Sequence, residues 1–207
     1  MNDVIDRLRA EARACRICRD APARGAPLAD PRPVFQVSAT ARLCIASQAP
    51  GLRAHESGRP FDDRSGERLR DWMGVSREEF YDASRVAILP MGFCFPGYDA
   101  HGSDLPPRRE CAALWRSRFL AAMPDIELIL CIGAYAQGWH LGAARARSMT
   151  ATVEDWRRFL GSNAGPRILP LPHPSWRNTG WIRRHPWFEA ELLPALRMEV
   201  ARSLRRP

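Results

Sequence analysis

Short, predominantly apolar runs alternate with amphipathic segments along this chain. Four of these runs, at residues 42–47, 85–89, 126–132 and 167–171, are each followed closely by Gly or Pro. Compact apolar runs with such ends are typical of strands that are buried on both faces of a sheet. The pattern therefore predicts four strands that belong to one parallel sheet.

Around these runs, apolar side chains recur at helical spacing. In residues 3–15 the apolar positions 4, 5, 8 and 12 share one helical face. Further helices are predicted at residues 67–73, where Ser65 would start the helix, at 108–123, from near 134, and at 187–204. Strands that alternate with helices form parallel sheets with helices on both faces. The sequence thus predicts an α/β fold, a three-layer α/β/α arrangement around a central four-stranded parallel sheet.

The chain has the length of one α/β domain. Its 207 residues suffice for a full core, and single units of this class are common at this size. Residues 20–34 are rich in Pro, Ala, Gly and Asp, which indicates an irregular arm. We expect one domain over residues 1–207, with the N-terminal helix and arm (residues 1–40) packed on it.

The positive charge of this chain comes entirely from arginine. There are 31 basic and 23 acidic residues, a formal net charge of +8, and no lysine. This excess favours a polyanionic partner, most simply nucleic acid. The lack of lysine excludes a Schiff base, a lysine-based phosphate loop and a lysine general base, because guanidinium stays protonated and is a poor nucleophile.

No segment predicts membrane insertion or export. Residues 1–14 lack the apolar centre of a signal peptide, and no stretch approaches the roughly 18 apolar residues of a membrane span. We expect a cytoplasmic monomer without a membrane partner. Six cysteines in such a protein are more typical of thiols or metal ligands than of disulfides. Cys44 and Cys131 lie inside predicted strands and are expected to be buried thiols.

Two loops follow predicted strands at the sheet edge where parallel sheets bind ligands. The first reads Ser47-Gln-Ala-Pro-Gly51, followed by Ser57-Gly-Arg-Pro-Phe61 and Ser65-Gly66, and the second reads His173-Pro-Ser175. In this order these motifs resemble the uracil-DNA glycosylase superfamily, and the closest pattern is its iron–sulfur branch. The resemblance covers about residues 15–178 and implies a DNA glycosylase that initiates base excision repair.

The resemblance also implies roles for individual residues. A base that is flipped out of the stack needs a pocket that reads its edge and an aromatic floor. The implied substrate-binding residues are Gln48, Ala49, Pro50, Gly51 and Phe61. His173 matches the histidine that donates to the oxyanion developing at O2 of the base. The implied DNA-binding residues are Pro174, Ser175, Trp176 and Arg177.

The absence of lysine bears on the reaction as well. Bifunctional glycosylases attack the sugar with an amine and then nick the strand. Without a lysine, the expected enzyme is monofunctional. Water is then the nucleophile, and the products are a free base and an abasic site.

Four cysteines match the ligands of the [4Fe-4S] cluster in the iron–sulfur branch. Cys15 and Cys18 form a C-x2-C pair, and sixteen residues separate Cys94 from Cys111. Four thiolates suit such a cluster, tetrahedral zinc also accepts four cysteines, and free thiols are a third alternative. A cluster here would be structural and would hold the N-terminal helix and the 94–111 loop on the domain.

Departures from the family pattern leave the preferred base open. Ala49 stands where the efficient uracil-specific branch has a water-positioning aspartate, and Pro90 stands where an asparagine reads uracil. Asp62 and Asp63 are candidates to position water, with a turn or helix cap as the alternative role. His55 follows the first turn in place of an acidic residue and is a further candidate.

Two other functions stay open from the sequence. One is a DNA-binding or damage-sensing family member with weak or no glycosylase activity, since both polar specificity positions have changed. The other is an unrelated α/β enzyme that uses His173 on a small molecule.

Overall fold

A four-stranded parallel sheet lies at the centre of the protein. The computed structural model describes residues 2–161 and 165–205. Its strands are β1 Leu43–Ala46, β2 Val86–Ile88, β3 Leu128–Ile132 and β4 Arg167–Leu171. They lie in the order β2-β1-β3-β4, and each neighbouring pair is parallel. The predicted sheet is confirmed.

Helices connect these strands and flank the sheet. In the described residues they are α1 Asn2–Arg13, α2 Ile17–Asp20, α3 Leu52–Ser57, α4 Arg64–Met73, α5 Arg77–Tyr81, α6 Arg109–Ala121, α7 Gly133–Leu141, α8 Met149–Glu154, α9 Trp156–Leu160, α10 Thr179–Arg184 and α11 Leu193–Arg205. Short 3-10 turns occupy Gly142–Ala144 and Trp176–Asn178, and a π-helical turn, Phe188–Leu192, leads into α11. The five longer helices that were predicted are present.

Both faces of the sheet are buried, as expected for strands that are apolar along nearly their whole length. Leu43 and Ile45 of β1 belong to a core with side chains of α4 and α11. Cys44, on the opposite face, belongs to a second core with side chains of α1, α6 and α7. Successive strand residues point to opposite faces, so one short strand contributes to both cores. This arrangement confirms the three-layer α/β/α fold, and Cys44 and Cys131 are both wholly buried.

The irregular arm is held against the domain by backbone contacts. The N–H of Leu28 donates to the carbonyl of Cys18, at 2.9 Å, and the N–H of Val34 donates to that of Phe93, at 2.7 Å. Apolar side chains of α1 enter the second core. Across the described ranges, no helix combines the length and the apolarity that a membrane crossing needs. The single domain, the monomeric state and the cytoplasmic location stay predictions.

Helix α4 begins three residues earlier than its sequence indicates. Asp63, and not Ser65, is the N-cap, since its Oδ1 accepts from the N–H of Gly66 at 2.9 Å. Aspartate is as good an N-cap as serine, and its charge also interacts favourably with the helix N-terminus. Asp63 has the extended backbone that a cap needs, so the helix starts directly after it.

Candidate active site

The loops after β1 and β4 meet at the carboxyl edge of the sheet and enclose a pocket of about 130 Å³. Its lining residues are Ser47, Ala49, Pro50, Gly51, Ala54, Pro60, Phe61, Asp63, Ser65, Ile88, Pro90, Asp104, His173 and Ser175. The pocket therefore contains both sequence motifs and the segment between them.

The first loop is held in place by the chain that follows β2. The carbonyl of Ser47 accepts from the N–H of Met91 at 2.8 Å, and that of Gln48 accepts from Gly92 at 2.9 Å. Gln48 itself lies outside the lining, with its Nε2 3.5 Å from the carbonyl oxygen of Leu105. Residues 49–51, which the sequence also predicts to bind substrate, do line the pocket.

A buried arginine supports the wall at the end of β2. Arg116 of α6 is 1% exposed, and its Nη1 donates to the carbonyl of Leu89 at 2.7 Å. Its Nε donates to Nε2 of His140 at 3.1 Å. Burial, with the nearby Arg116, lowers the pKa of His140 to about 3, so the neutral imidazole accepts the bond from Arg116. The contacts hold the backbone that leads into Pro90, a pocket residue.

Phe61 forms a rigid part of the pocket because its backbone is strained and held from two sides. Its φ is +56°, in the left-handed region that side chains other than glycine seldom adopt. The hydroxyl of Tyr81 donates to the carbonyls of Pro60 and Phe61, at 3.0 and 3.2 Å. A Cβ on Gly66 would lie only 1.8 Å from the Phe61 carbonyl oxygen. Such strain persists where surrounding contacts impose it, as they do here.

The His173 loop is fixed through its main chain. Nδ2 of Asn178 donates to the carbonyl of His173 at 2.7 Å, and Nη1 of Arg68 donates to that of Ser175 at 3.0 Å. Burial lowers the pKa of His173, while the negative charges of Asp63 and Asp104 oppose this shift. The imidazole is therefore neutral near pH 7 and carries one N–H that can donate.

The adjacent carboxylates Asp62 and Asp63 have different surroundings. Asp63 lines the pocket and acts on His173 through its charge. Asp62 lies outside the lining and accepts from Nη2 of Arg77 at 2.8 Å, a contact that lowers the pKa of Asp62. The sequence left both candidates open, whereas the structure brings only Asp63 into the pocket.

Asp104 is a pocket residue that sequence reasoning missed. It lies in a hairpin in which the N–H of Leu105 donates to the carbonyl of Gly97 at 2.9 Å. Partial desolvation raises the pKa of Asp104, and His173 and Arg177 counteract the rise. No motif marks this aspartate, because only the folding of the hairpin brings it into the pocket that His173 also lines.

The family comparison bears directly on this pocket. The family model described as Uracil DNA glycosylase superfamily matches residues 34–197, more than half of the chain, and this range contains the whole pocket lining. The chain belongs to the uracil-DNA glycosylase superfamily. Membership places it generally among glycosylase hydrolases of DNA repair, a family that acts on DNA.

In this superfamily member, residues 174–177 follow directly after His173, and of these four Ser175 alone lines the pocket. Pro174 is buried, and Oγ of Ser175 accepts from the N–H of Arg177 at 3.3 Å. Trp176 is 74% exposed, and the guanidinium carbon of Arg177 lies 5.9 Å from the centre of its ring. An aromatic ring and a cation thus stand next to the pocket, both open to solvent.

His55 has a different place in the glycosylase fold. It lies outside the pocket lining, and its Nε2 is 3.3 Å from Oδ2 of Asp30 in the arm. Its ring centre is 6.0 Å from that of Phe95. His55, a residue of α3, therefore contacts the arm and does not line the pocket.

The four candidate ligand cysteines of this family member lie outside the pocket lining. Cys18 and Cys94 share a hydrogen bond that lowers the pKa of Cys18 to about 7 and raises that of Cys94. Burial raises the pKa of Cys111 to about 12, and Cys15 and Cys18 add to this shift. In residues 2–161 and 165–205, no three His, Cys, Asp or Glu side chains are arranged to hold a metal ion.

Proposed function

We propose that this chain is a monofunctional DNA glycosylase that hydrolyses the N-glycosidic bond of uracil, or of a related deaminated base, in DNA. The observation that carries the proposal is the pocket in which the neutral His173, the Phe61 ring and the backbone of residues 49–51 converge. A cavity of about 150 Å³ admits benzene, so a pocket of about 130 Å³ suits one six-membered ring. This size supports a pyrimidine over a purine.

The reaction follows from the charges that these groups present. A flipped base stacks on Phe61, and its edge meets the main chain of the first loop. As the N-glycosidic bond breaks, its electron pair goes to the base, and the N–H of His173 donates to the oxygen where charge develops. A water oxygen then bonds to the anomeric carbon, and its proton passes to a carboxylate.

We propose Asp63 as the residue that positions this water. Asparagine caps a helix about as well as aspartate, so Asp63→Asn leaves α4 intact while it removes the charge. We expect kcat to fall about 10²-fold, the low end of what a general base contributes, with KM little changed. Single-turnover rates of base release provide the measurement.

Asp62→Asn is the matched control, because Asp62 forms an exposed ion pair with Arg77 outside the pocket. Its rate should stay within about twofold of the parent, since such pairs contribute at most about 1 kcal/mol. Equal rates for the two variants would contradict the role of Asp63. A loss seen only with Asp104→Asn would assign the water to Asp104 instead.

A lesion panel tests the proposed activity itself. Oligonucleotides with uracil, hypoxanthine or xanthine, single- and double-stranded, are incubated with the protein and then heated in alkali. We expect cleavage at uracil after alkali and none before it, because an abasic site forms and no lysine is present to nick the strand. Failure on all three lesions, or preference for a purine, would count against the proposal.

The runner-up is a damage sensor of the same family with little catalysis. Its support is that Ala49 and Pro90 both line the pocket and bring no polar side chain to it. Such a protein would bind uracil-containing DNA more tightly than undamaged DNA and release no base. The same panel, combined with a binding titration, distinguishes the two functions.

We also propose that Cys15, Cys18, Cys94 and Cys111 hold a structural [4Fe-4S] cluster. The support is the chemistry of the donors, four thiols from three segments of which Cys18 interacts with both Cys94 and Cys111. Bound there, the cluster would link α2, the residue 94 loop and α6 and supply no chemistry to the pocket.

Anaerobic purification tests the cluster. We expect a brown protein that contains iron and sulfide, and Cys94→Ser should lose both and unfold at a lower temperature. Cys44→Ala is the control, since Cys44 lies in β1 among apolar side chains and should leave the iron content unchanged. Zinc in a colourless preparation, or a metal-free protein of full stability, would contradict the cluster.

A further inference from the structure

The protein has a second cavity, which is larger than the active-site pocket. This groove, of about 730 Å³, lies between residues 23–26 of the arm, residues 105–110 and helix α7. Two pairs of consecutive residues are divided between the cavities. Pro90 lines the pocket and Met91 lines the groove, and likewise Asp104 lines the pocket and Leu105 lines the groove. The chain segments at residues 90–91 and 104–105 therefore lie beside both cavities.

Two aromatic side chains of α7 face this groove. Tyr135 and Trp139 are 45% and 42% exposed, and both line it. They are four residues apart, so they share one helix face with a separation of roughly 6 Å along the axis. Gly138, which also lines the groove, has no side chain to cover them. The helix thus presents two flat, half-exposed rings side by side.

The charged residues of the groove are mostly cationic. Arg24, Arg108 and Arg109 line it, against the single carboxylate of Glu110. The guanidinium of Arg108 is oriented by the carbonyls of Arg24 and Ala26, at 2.9 and 2.8 Å. Within the described part of the chain, none of the three arginines pairs with a carboxylate. Their charges remain available to an anionic occupant.

We propose that the groove binds a single-stranded DNA segment next to the flipped nucleotide, with bases stacked on Tyr135 and Trp139 and phosphates near the three arginines. Aromatic faces along a cationic track are how proteins hold single strands without reading their sequence. The inference rests on the proposed function in taking DNA as the substrate, but it does not require turnover. It makes unpaired DNA around the lesion the preferred substrate class.

Binding of a lesion-free strand tests the groove separately from catalysis. The probe is a fluorescent oligothymidine of about 12 nucleotides, within the ~4–16 nucleotides that single-strand sites cover, and anisotropy reports its affinity. We expect Tyr135→Ala and Trp139→Ala each to weaken binding about tenfold, the size of one lost base–aromatic stack. Tyr135→Phe and Trp139→Phe should restore most of the affinity, because they keep a stacking face.

Met198→Ala is the matched surface control, because Met198 is 65% exposed on α11 and lies outside the groove. Its affinity should equal that of the parent, and thermal melting should show that all variants fold. Alanine variants that bind as tightly as the parent would overturn the inference. So would oligothymidine binding that is insensitive to salt, because phosphates held near three arginines must bind more weakly as the salt concentration rises.

The outcomes for the groove and for the proposed activity can be told apart. A parent protein that releases no base, yet loses single-strand affinity in the alanine variants, supports the groove and contradicts the proposed hydrolysis. A parent that releases uracil, with alanine variants of unchanged affinity, leaves the activity standing and overturns the groove.

Discussion

Replacing His173 with asparagine should slow base release by about 10²- to 10³-fold, the usual loss when one oxyanion donor is removed. The imidazole lies in the pocket, and its loop is held by Asn178 and Arg68 through backbone carbonyls. These bonds do not involve the imidazole, so the variant should keep the loop in place. Single-turnover release from a uracil oligonucleotide is the measurement, with thermal melting to verify the fold.

His101→Asn is the matched control for this substitution. His101 is exposed, lies outside the pocket lining, and should tolerate the change with an unaltered rate. If His173→Asn retained the rate of this control, the histidine would not be the donor, and the proposed hydrolysis would need another group.

The pH profile adds a check on the same side chain. Burial lowers the pKa of His173 below its ordinary 6.5, so its neutral form persists below that pH. The rate should therefore stay level as the pH falls through 6.5 and decline only at lower pH. A decline centred at 6.5 that disappears in His173→Asn would contradict a buried, neutral donor.

Replacing Gly66 with alanine should reduce the free energy of unfolding by more than about 3 kcal/mol. The added Cβ would lie 1.8 Å from the carbonyl oxygen of Phe61 and 2.7 Å from its carbonyl carbon. Both atoms are backbone, so rotation of a side chain cannot relieve the clash. The left-handed backbone of Phe61 would have to change, which would also move its ring within the pocket. Urea unfolding measures the stability.

Gly180→Ala is the control for an ordinary helical glycine. Its Cβ would meet only Nη1 of Arg184, at 3.8 Å, and alanine favours a helix by up to about 1 kcal/mol. We expect this variant to be as stable as the parent or slightly more stable. If Gly66→Ala matched it, close packing on the Phe61 carbonyl would not be what requires glycine at this position.

The strands and the longer helices were predictable, and the shorter helices were not. Each strand is a compact apolar run with a clear end, which is enough to identify it. Helices α3, α5, α8, α9 and α10 have five or six residues each, less than two turns, so periodicity cannot reveal them. The start of α4 was misplaced because Asp63 and Ser65 are equally good caps in sequence, and backbone geometry selected Asp63.

The candidate site was only partly predictable. His173, Phe61 and the turn at residues 49–51 follow from motifs and do line the pocket. The sequence could not separate Asp63 from Asp62, because their directions depend on the strained Phe61 and on Arg77. The groove also lacked a signal, since Tyr135 and Trp139 lie on α7 and the arm that faces them is distant in sequence.

By itself, the sequence determined a parallel α/β sheet, an excess of positive charge and the absence of any lysine nucleophile, because these depend on composition and local periodicity. The family match then covers the segments that carry the two loops. Only the tertiary structure decided that Asp63 and Asp104 line the pocket together with His173, that Gln48 lies outside this lining, and that an aromatic groove forms between α7 and the arm. Each of these depends on contacts between distant segments, which local residue patterns do not encode.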